Sequence, residues 1–318
     1  MNKDKTKLWT SIAIAALALA TIIASLHTTK SKSNSPTLST IHRDIQYKTI
    51  PNVDPNLLSL DIYQTTKENA AIIIAVHGGS WAKGDKSSQM WLGHQPEYFT
   101  ENGFMFVTAN YRLSPTSNNM DPERIKYPIH EEDIASAIKW ITEHADEYGG
   151  DKEKISLIGH SAGAGIISLL STDKSFIENE DLNFSNIQCS ILLDGDAYDV
   201  SKKARIEGEE ATENNLLYQK VFATPEENKT DNTWTLASPI NYLISGEYLP
   251  NFLIITRGST SRVESSMNFM QSVITTGNEA EIIDVSDTYN HAQVNTVIGD
   301  SRDKKITPAL TEFLENCR

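Results

Sequence analysis

The sequence predicts an α/β protein: a mostly parallel, doubly wound sheet with helices on both faces. Two observations predict it. Short runs that are apolar on both faces recur along the chain, and amphipathic helical stretches separate them. Runs without alternation suit strands covered on both sides, and strands separated by helices imply right-handed crossovers between parallel neighbours. The runs cover residues 70–76, 104–109, 155–158, 189–193, 251–256 and 281–285. Helical periodicity falls at residues 133–144, 162–170, 265–276 and 308–316. Ahead of the first run, residues 41–63 alternate polar and apolar around a turn at 51–55, which predicts an antiparallel hairpin at a sheet edge. A small polar insertion, about 200–248, interrupts the rhythm between the sixth and seventh strands, with helical character at 202–220 and 234–244. Its place above the C-terminal edge of the sheet suits a lid or pocket wall, and a surface excursion equally.

The chain of 318 residues is long enough for one large core, and its 39% hydrophobic and 22% charged content is that of a globular protein. A formal charge of −14 argues against nucleic acid as the main ligand, since phosphate recognition needs a basic face. The N-terminus differs in kind. Lys3, Lys5 and Lys7 precede residues 8–26, a stretch of 19 residues with no charge, long enough to cross a bilayer as a helix. A Lys/Ser/Thr-rich linker follows. Residues 1–40 are therefore expected to be a membrane anchor or signal segment plus linker, and 41–318 the functional domain. The positive-inside rule puts that domain outside the cytoplasm: anchored by a single pass, or secreted or periplasmic if cleavage occurs near Ala18-Leu19-Ala20. Cys189 and Cys317 form no framework pattern. Export would permit a disulfide; the plainer expectation is one buried free thiol and one near-terminal one.

Gly159-His160-Ser161-Ala162-Gly163 matches G-x-S-x-G, directly after a predicted strand and directly before a predicted helix. In that setting the glycines permit a sharp turn that lifts the serine hydroxyl clear of the sheet edge, and the helix N-terminus favours developing negative charge. A second motif, His77-Gly78-Gly79-Ser80-Trp81, closes the run 70–76. Backbone N–H groups in such a fixed loop stabilise an oxyanion without reorganising. The expected donors are Gly79 and Ser80, with Gly78 possible, together with Ala162; His77 shapes the loop.

With Asn110-Tyr111-Arg112-Leu113-Ser114-Pro115 and Tyr127-Pro128 through Trp140, these motifs resemble the α/β-hydrolases of the carboxylesterase and hormone-sensitive-lipase-like group, from about Ile45 to the C-terminus. The resemblance implies metal-independent, cofactor-free hydrolysis of small carboxylic esters through an acyl-enzyme on Ser161; it names no particular ester. Its chain order is nucleophile, acid, histidine, and His291 is the only histidine after Ser161. The acid departs from the family pattern. Where a carboxylate is expected after 251–256, the chain reads Arg257-Gly258-Ser259-Thr260-Ser261-Arg262. Asp194, at the end of the preceding strand, is the first candidate and Asp196 the second. Asp287 could orient His291 locally, and Asp199 resembles a turn feature of the family. The alternatives are an arylformamidase-like amide hydrolase and a hydrolase-fold protein that binds without turnover. Neither a metal-ligand cluster nor a dinucleotide or Walker motif is present in the sequence.

Overall fold

The apolar runs lie side by side in one eight-stranded sheet of order β1-β2-β4-β3-β5-β6-β7-β8, in a computed structural model that describes residues 40–206 and 212–318. The strands are β1 (Ile41–Gln46), β2 (Ser59–Tyr63), β3 (Ala70–Val76), β4 (Met105–Ala109), β5 (Gly150–His160), β6 (Ile187–Leu193), β7 (Asn251–Thr256) and β8 (Ala280–Asp284). The expected hairpin forms: β2 pairs antiparallel with β1 and with β4, and every other neighbouring pair is parallel. All seven residues of β3 are buried. Pleating sends Ile72, Ile74 and Val76 into one apolar layer and Ala71, Ile73 and Ala75 into the other, so both faces need a cover. This is the α/β-hydrolase fold, with the topological switch at β3, where the order reverses and ligand crevices form.

Helices supply the cover. They comprise α1 (Gln89–Leu92), α2 (Gln95–Glu101), α3 (Ile129–His144), α4 (Ala162–Leu170), α5 (Ser175–Glu178), α6 (Val200–Ala204), α7 (Glu213–Val221), α8 (Pro225–Asp231), α9 (Thr233–Leu236), α10 (Thr260–Thr275), α11 (Gln293–Thr296) and α12 (Ile306–Leu314). Three, α3, α10 and α12, begin earlier than periodicity suggests. The first turn of α3 carries buried His130 and Glu131, polar residues that hide its apolar face from a hydropathy reading. A bidentate pair from Arg112 to Asp133, with Nε–Oδ2 and Nη2–Oδ1 both 2.7 Å, fastens the loop after β4 to α3.

The insertion is more broken than expected. Instead of one helical stretch over 202–220, α6 and α7 stand as separate helices, and 234–244 reduces to α9 and a 3₁₀ turn, Pro239–Tyr242. Caps explain the breaks. Asp199 accepts from the Lys202 N–H at the start of α6, while Thr212 and Thr224 open capping boxes with Asn215 and Glu227. A single buried guanidinium then fastens the insertion to the body. Arg124 donates to the carbonyls of Gln219 and Lys220 at the C-terminal end of α7, and bidentately to Glu227 at 2.9 and 2.8 Å. The cation meets the negative end of the α7 dipole as well as a carboxylate. Burial alone would raise the Glu227 carboxyl; Arg124 and Lys126 outweigh it and lower it to about 2.

The cysteines correct the free-thiol expectation. Cys189 and Cys317 form a buried disulfide across a separation of 128 residues, joining β6 to the 3₁₀ turn after α12. Only the folded sheet brings positions so distant in sequence to a Cα separation of 5.8 Å. The N-terminal anchor or signal segment lies outside the described residues. Among the described residues no helix is long and apolar enough to cross a membrane.

Candidate active site

The ends of β3, β5, β6 and β7, with the loop after β8, meet at one edge of the sheet. At the end of β5 the chain turns into α4 within a single residue, Ser161, whose φ of 54° and ψ of −115° no L-residue adopts cheaply. Sheet contacts hold it there, since the Ser161 N–H donates to the Leu193 carbonyl of β6 at 2.8 Å. Gly163 is required by close approach: a Cβ at that position would sit 2.2 Å from the Val76 carbonyl oxygen.

The loop after β3 lies against this turn. Gly79 has φ +123°, and a side chain there would run into the Lys83 carbonyl, whose N–H already donates to the Gly79 carbonyl. Ser80 and Trp81 follow with φ of 55° and 57°. Among the described residues no hydrogen bond uses the N–H of Gly79, Ser80 or Ala162. Ser80 and Ala162 line one cleft with Ser161, and N–H groups without a partner are what an oxyanion needs. His77 is buried, stacked on Tyr111 with ring centroids 4.6 Å apart and bonded through Nδ1 to the Gly78 carbonyl at 2.8 Å, so it shapes the loop and does not reach the cleft.

Asp194 terminates β6 in the left-handed region, φ 48°, with its N–H bonded to the Ile255 carbonyl of β7 at 2.7 Å. That conformation turns a fully buried carboxylate toward the loop after β8, where Oδ2 accepts from His291 Nδ1 at 2.5 Å. Arg262 Nε donates to Oδ1 at 2.7 Å and Nη2 to the Asp194 carbonyl at 2.5 Å. Burial alone would push the Asp194 carboxyl up, but the bonds from His291 and Arg262 hold it below its usual range, and it stays ionised. The other candidates are occupied elsewhere. Asp196 pairs with Lys203 at 2.6 Å; Asp287 is exposed and pairs with Lys305 at 2.9 Å; Asp199 caps α6.

Ser161 and His291 face a cleft of about 240 Å³ that Ser80, Arg257, Arg262 and Tyr218 also line. Tyr218 belongs to α7, and its ring and that of Phe222 meet Trp81 of the β3 loop edge-on, at 5.9 and 5.4 Å. The insertion is thus a wall of the cleft. Two supports had no signal in the sequence. His160 Nε2 donates to the His291 carbonyl at 2.8 Å, and burial lowers its imidazole to about 4, so it stays neutral beside His291. Behind the loop, Asn295 Nδ2 donates to the Trp91 carbonyl at 2.5 Å and Gln95 Nε2 to the Asn295 carbonyl at 3.3 Å, pinning α11 to α1 and α2. Side-chain amides across some two hundred residues leave no local pattern to read.

Comparison with known proteins gives the setting. Residues 60–275 match the BD-FAE family model. A probable carboxylic ester hydrolase of Mycobacterium tuberculosis, LipM, is 35% identical over 101 residues, 31% of this chain and 21% of LipM. Carboxylesterase NlhH of the same organism is 28% identical over 108 residues, 33% of this chain and 30% of NlhH. The matched stretch spans less than a third of either relative. Among solved structures, a truncated carbohydrate esterase from gut microbiota superposes with a TM-score of 0.67 at 19% identity, covering 89% of this chain and 98% of that one. Esterase 2 of Thermogutta terrifontis, phosphonylated by sarin, gives 0.63 at 20% identity, covering 87% and 94%. At such identities the likeness is one of fold.

Proposed function

Because this chain belongs to the BD-FAE family, we propose that it is a serine hydrolase that cleaves carboxylic esters through an acyl-enzyme on Ser161. The observation that carries the proposal is the constellation in one cleft: a serine held at a strained strand-to-helix turn, and an imidazole bonded through Nδ1 to a buried carboxylate at 2.5 Å. With Nδ1–H donated to Asp194, the Nε2 lone pair of His291 is left to take the serine proton. Ser161 Oγ attacks the ester carbonyl, and the N–H groups of Gly79, Ser80 and Ala162 hold the oxyanion. His291 then protonates the leaving alcohol and later activates water for deacylation. Asp194 orients the ring and stabilises its protonated form. The esterase names of the relatives support the same reaction class.

Ser161→Ala is expected to abolish turnover of a short-chain p-nitrophenyl ester and labelling by a fluorophosphonate probe; retained activity in that variant defeats the proposal. Formanilide substrates run alongside distinguish amide from ester cleavage. We also propose that the domain is exported, anchored by residues 8–26 or released by cleavage near Ala18-Leu19-Ala20. The Cys189–Cys317 disulfide supports this, because such bonds persist in oxidising compartments. Cell fractionation with N-terminal sequencing tests it, and a wholly cytoplasmic, reduced protein would contradict it.

A further inference from the structure

Among the described residues, the cleft beside Ser161 carries more positive charge than its carboxylates neutralise. Arg262 is committed to Asp194 through two hydrogen bonds, and Lys203 to Asp196 at 2.6 Å. Arg257 is different. It follows β7 directly, lines the same cleft as Ser161 and His291, and its guanidinium makes no hydrogen bond among the described residues. Its Nη1 lies 3.5 Å from Asp194 Oδ2, an oxygen that already accepts from His291 at 2.5 Å. Its Nε is buried with no partner among the described residues. Among the described residues three cations therefore face two carboxylates, and the one left over is a planar donor fork. Buried donors without partners are costly, and a guanidinium is shaped to receive a carboxylate through two parallel N–H bonds. The turn that carries it is fixed from behind, the Gly258 N–H donating to Ser286 Oγ at 3.0 Å.

We propose that Arg257 is an anion subsite, and that the substrates are small esters bearing a carboxylate, whose charge pairs with this guanidinium while the ester carbonyl lies at Ser161. The inference rests on the ester-hydrolase reading above and narrows it to a substrate class. A cleft of about 240 Å³ suits a compact molecule, either a half-ester of a dicarboxylic acid or an ester of a carboxylated alcohol or phenol. Both share one chemistry, a carboxylate a few atoms from the scissile bond.

The test uses matched pairs on the full chain. Mono-4-nitrophenyl adipate against 4-nitrophenyl hexanoate puts the charge on the acyl side; 4-acetoxybenzoate against 4-methylphenyl acetate puts it on the alcohol side. In at least one pair the anionic-to-neutral ratio of kcat/KM should fall about tenfold or more in Arg257→Gln, chiefly through KM, as expected for loss of a charge-assisted contact. Arg257→Lys should keep part of the ratio. In the wild type that ratio should shrink between roughly 50 and 500 mM salt, because ionic strength screens the pairing. A residue that merely steadied Asp194 would slow both members of a pair alike and leave the ratio unchanged. Ratios unmoved by substitution and by salt in both pairs, with the neutral esters still cleaved, overturn the anion subsite alone. No turnover of any of the four esters by the wild type overturns the ester-hydrolase reading with it.

Discussion

Two neighbouring strand ends divide the charge of this site. β6 ends in Leu193-Asp194-Gly195-Asp196 and brings the carboxylates; β7 ends in Thr256-Arg257-Gly258 and, with Arg262 in the first turn of α10, brings the guanidiniums. The strands are hydrogen-bonded in parallel, Leu193 beside Ile255, so either end lies within reach of the loop that carries His291. An acid can therefore move from one strand end to the next without the imidazole moving. Here the β7 end holds the opposite charge, and Arg262 a few residues beyond it bonds to Asp194.

The sharpest way to break this comparison is to neutralise the β6 end. Asp194→Asn should lower kcat by about four orders of magnitude with KM little changed, because the imidazole would be held in the wrong tautomer. A near-wild-type rate would move the role to another residue. One strand further along, at the end of β5, His160 offers a second large effect, on stability. Its imidazole is lowered by burial to about 4, against an ordinary value of 6.5. Between those values the unfolded chain binds a proton that the folded chain does not, so stability rises with pH from about 4 to 6.5. The difference is about 3 kcal/mol across that window. His160→Gln keeps an N–H for the His291 carbonyl and cannot titrate. Its denaturant midpoint should vary less with pH than that of the wild type, and parallel curves would refute the assignment.

Arg262→Gln comes next. It removes a charge-assisted bond at 2.7 Å from the acid and a second from its carbonyl. A loss of roughly ten- to a hundredfold in kcat is expected from a bond of this kind. The sign of the pH effect is fixed by the same contact. Asp194 is now held below its usual range, so its stabilisation is present above the unfolded value near 3.9 and is lost as pH falls through the lower folded value. Without Arg262 the folded value rises toward the unfolded one, so that loss should be smaller and complete at higher pH, measurable by thermal unfolding across the acid range.

What could be read in advance was whatever local pattern records. Apolar runs show strands buried on both faces, and G-x-S-x-G between a strand and a helix shows a serine on a turn, because each signal lies within a dozen residues. The candidacy of Asp194 was also legible, though only as one aspartate among several, since its left-handed φ and its bond to His291 depend on β7 lying alongside. The pairings that assemble the site were not legible. Arg124 reaches Glu227 over 103 residues, Cys189 reaches Cys317 over 128, and Tyr218 meets Trp81 across the cleft. Each partner alone is an ordinary residue whose contact exists only once the sheet order is known. Helix limits in the insertion failed for a different reason. Its threonine caps and Pro239 outweigh a polar helical composition that carries little periodicity.

Asp196 gives the finest test, because it shares the β6 end with Asp194 and differs from it in geometry alone. Two residues on, its carboxylate lies 2.6 Å from Lys203 and 3.6 Å from Arg262, and among the described residues no hydrogen bond or ion pair joins it to His291. If bonding to the imidazole is what sets the acid apart, Asp196→Asn should lower kcat on a neutral ester by no more than about threefold, in keeping with a partly exposed ion pair. The same change removes one of the two carboxylates that offset Arg257 and Arg262. It should therefore raise the preference for anionic esters, opposite in sign to Arg257→Gln and smaller. Steady-state kinetics on the matched pairs read both quantities together. A fall in kcat as deep as that of Asp194→Asn would mean that the two β6 carboxylates act as one unit. The acid would then be a charge shared across the strand end, with the hydrogen bond to His291 only its shortest contact.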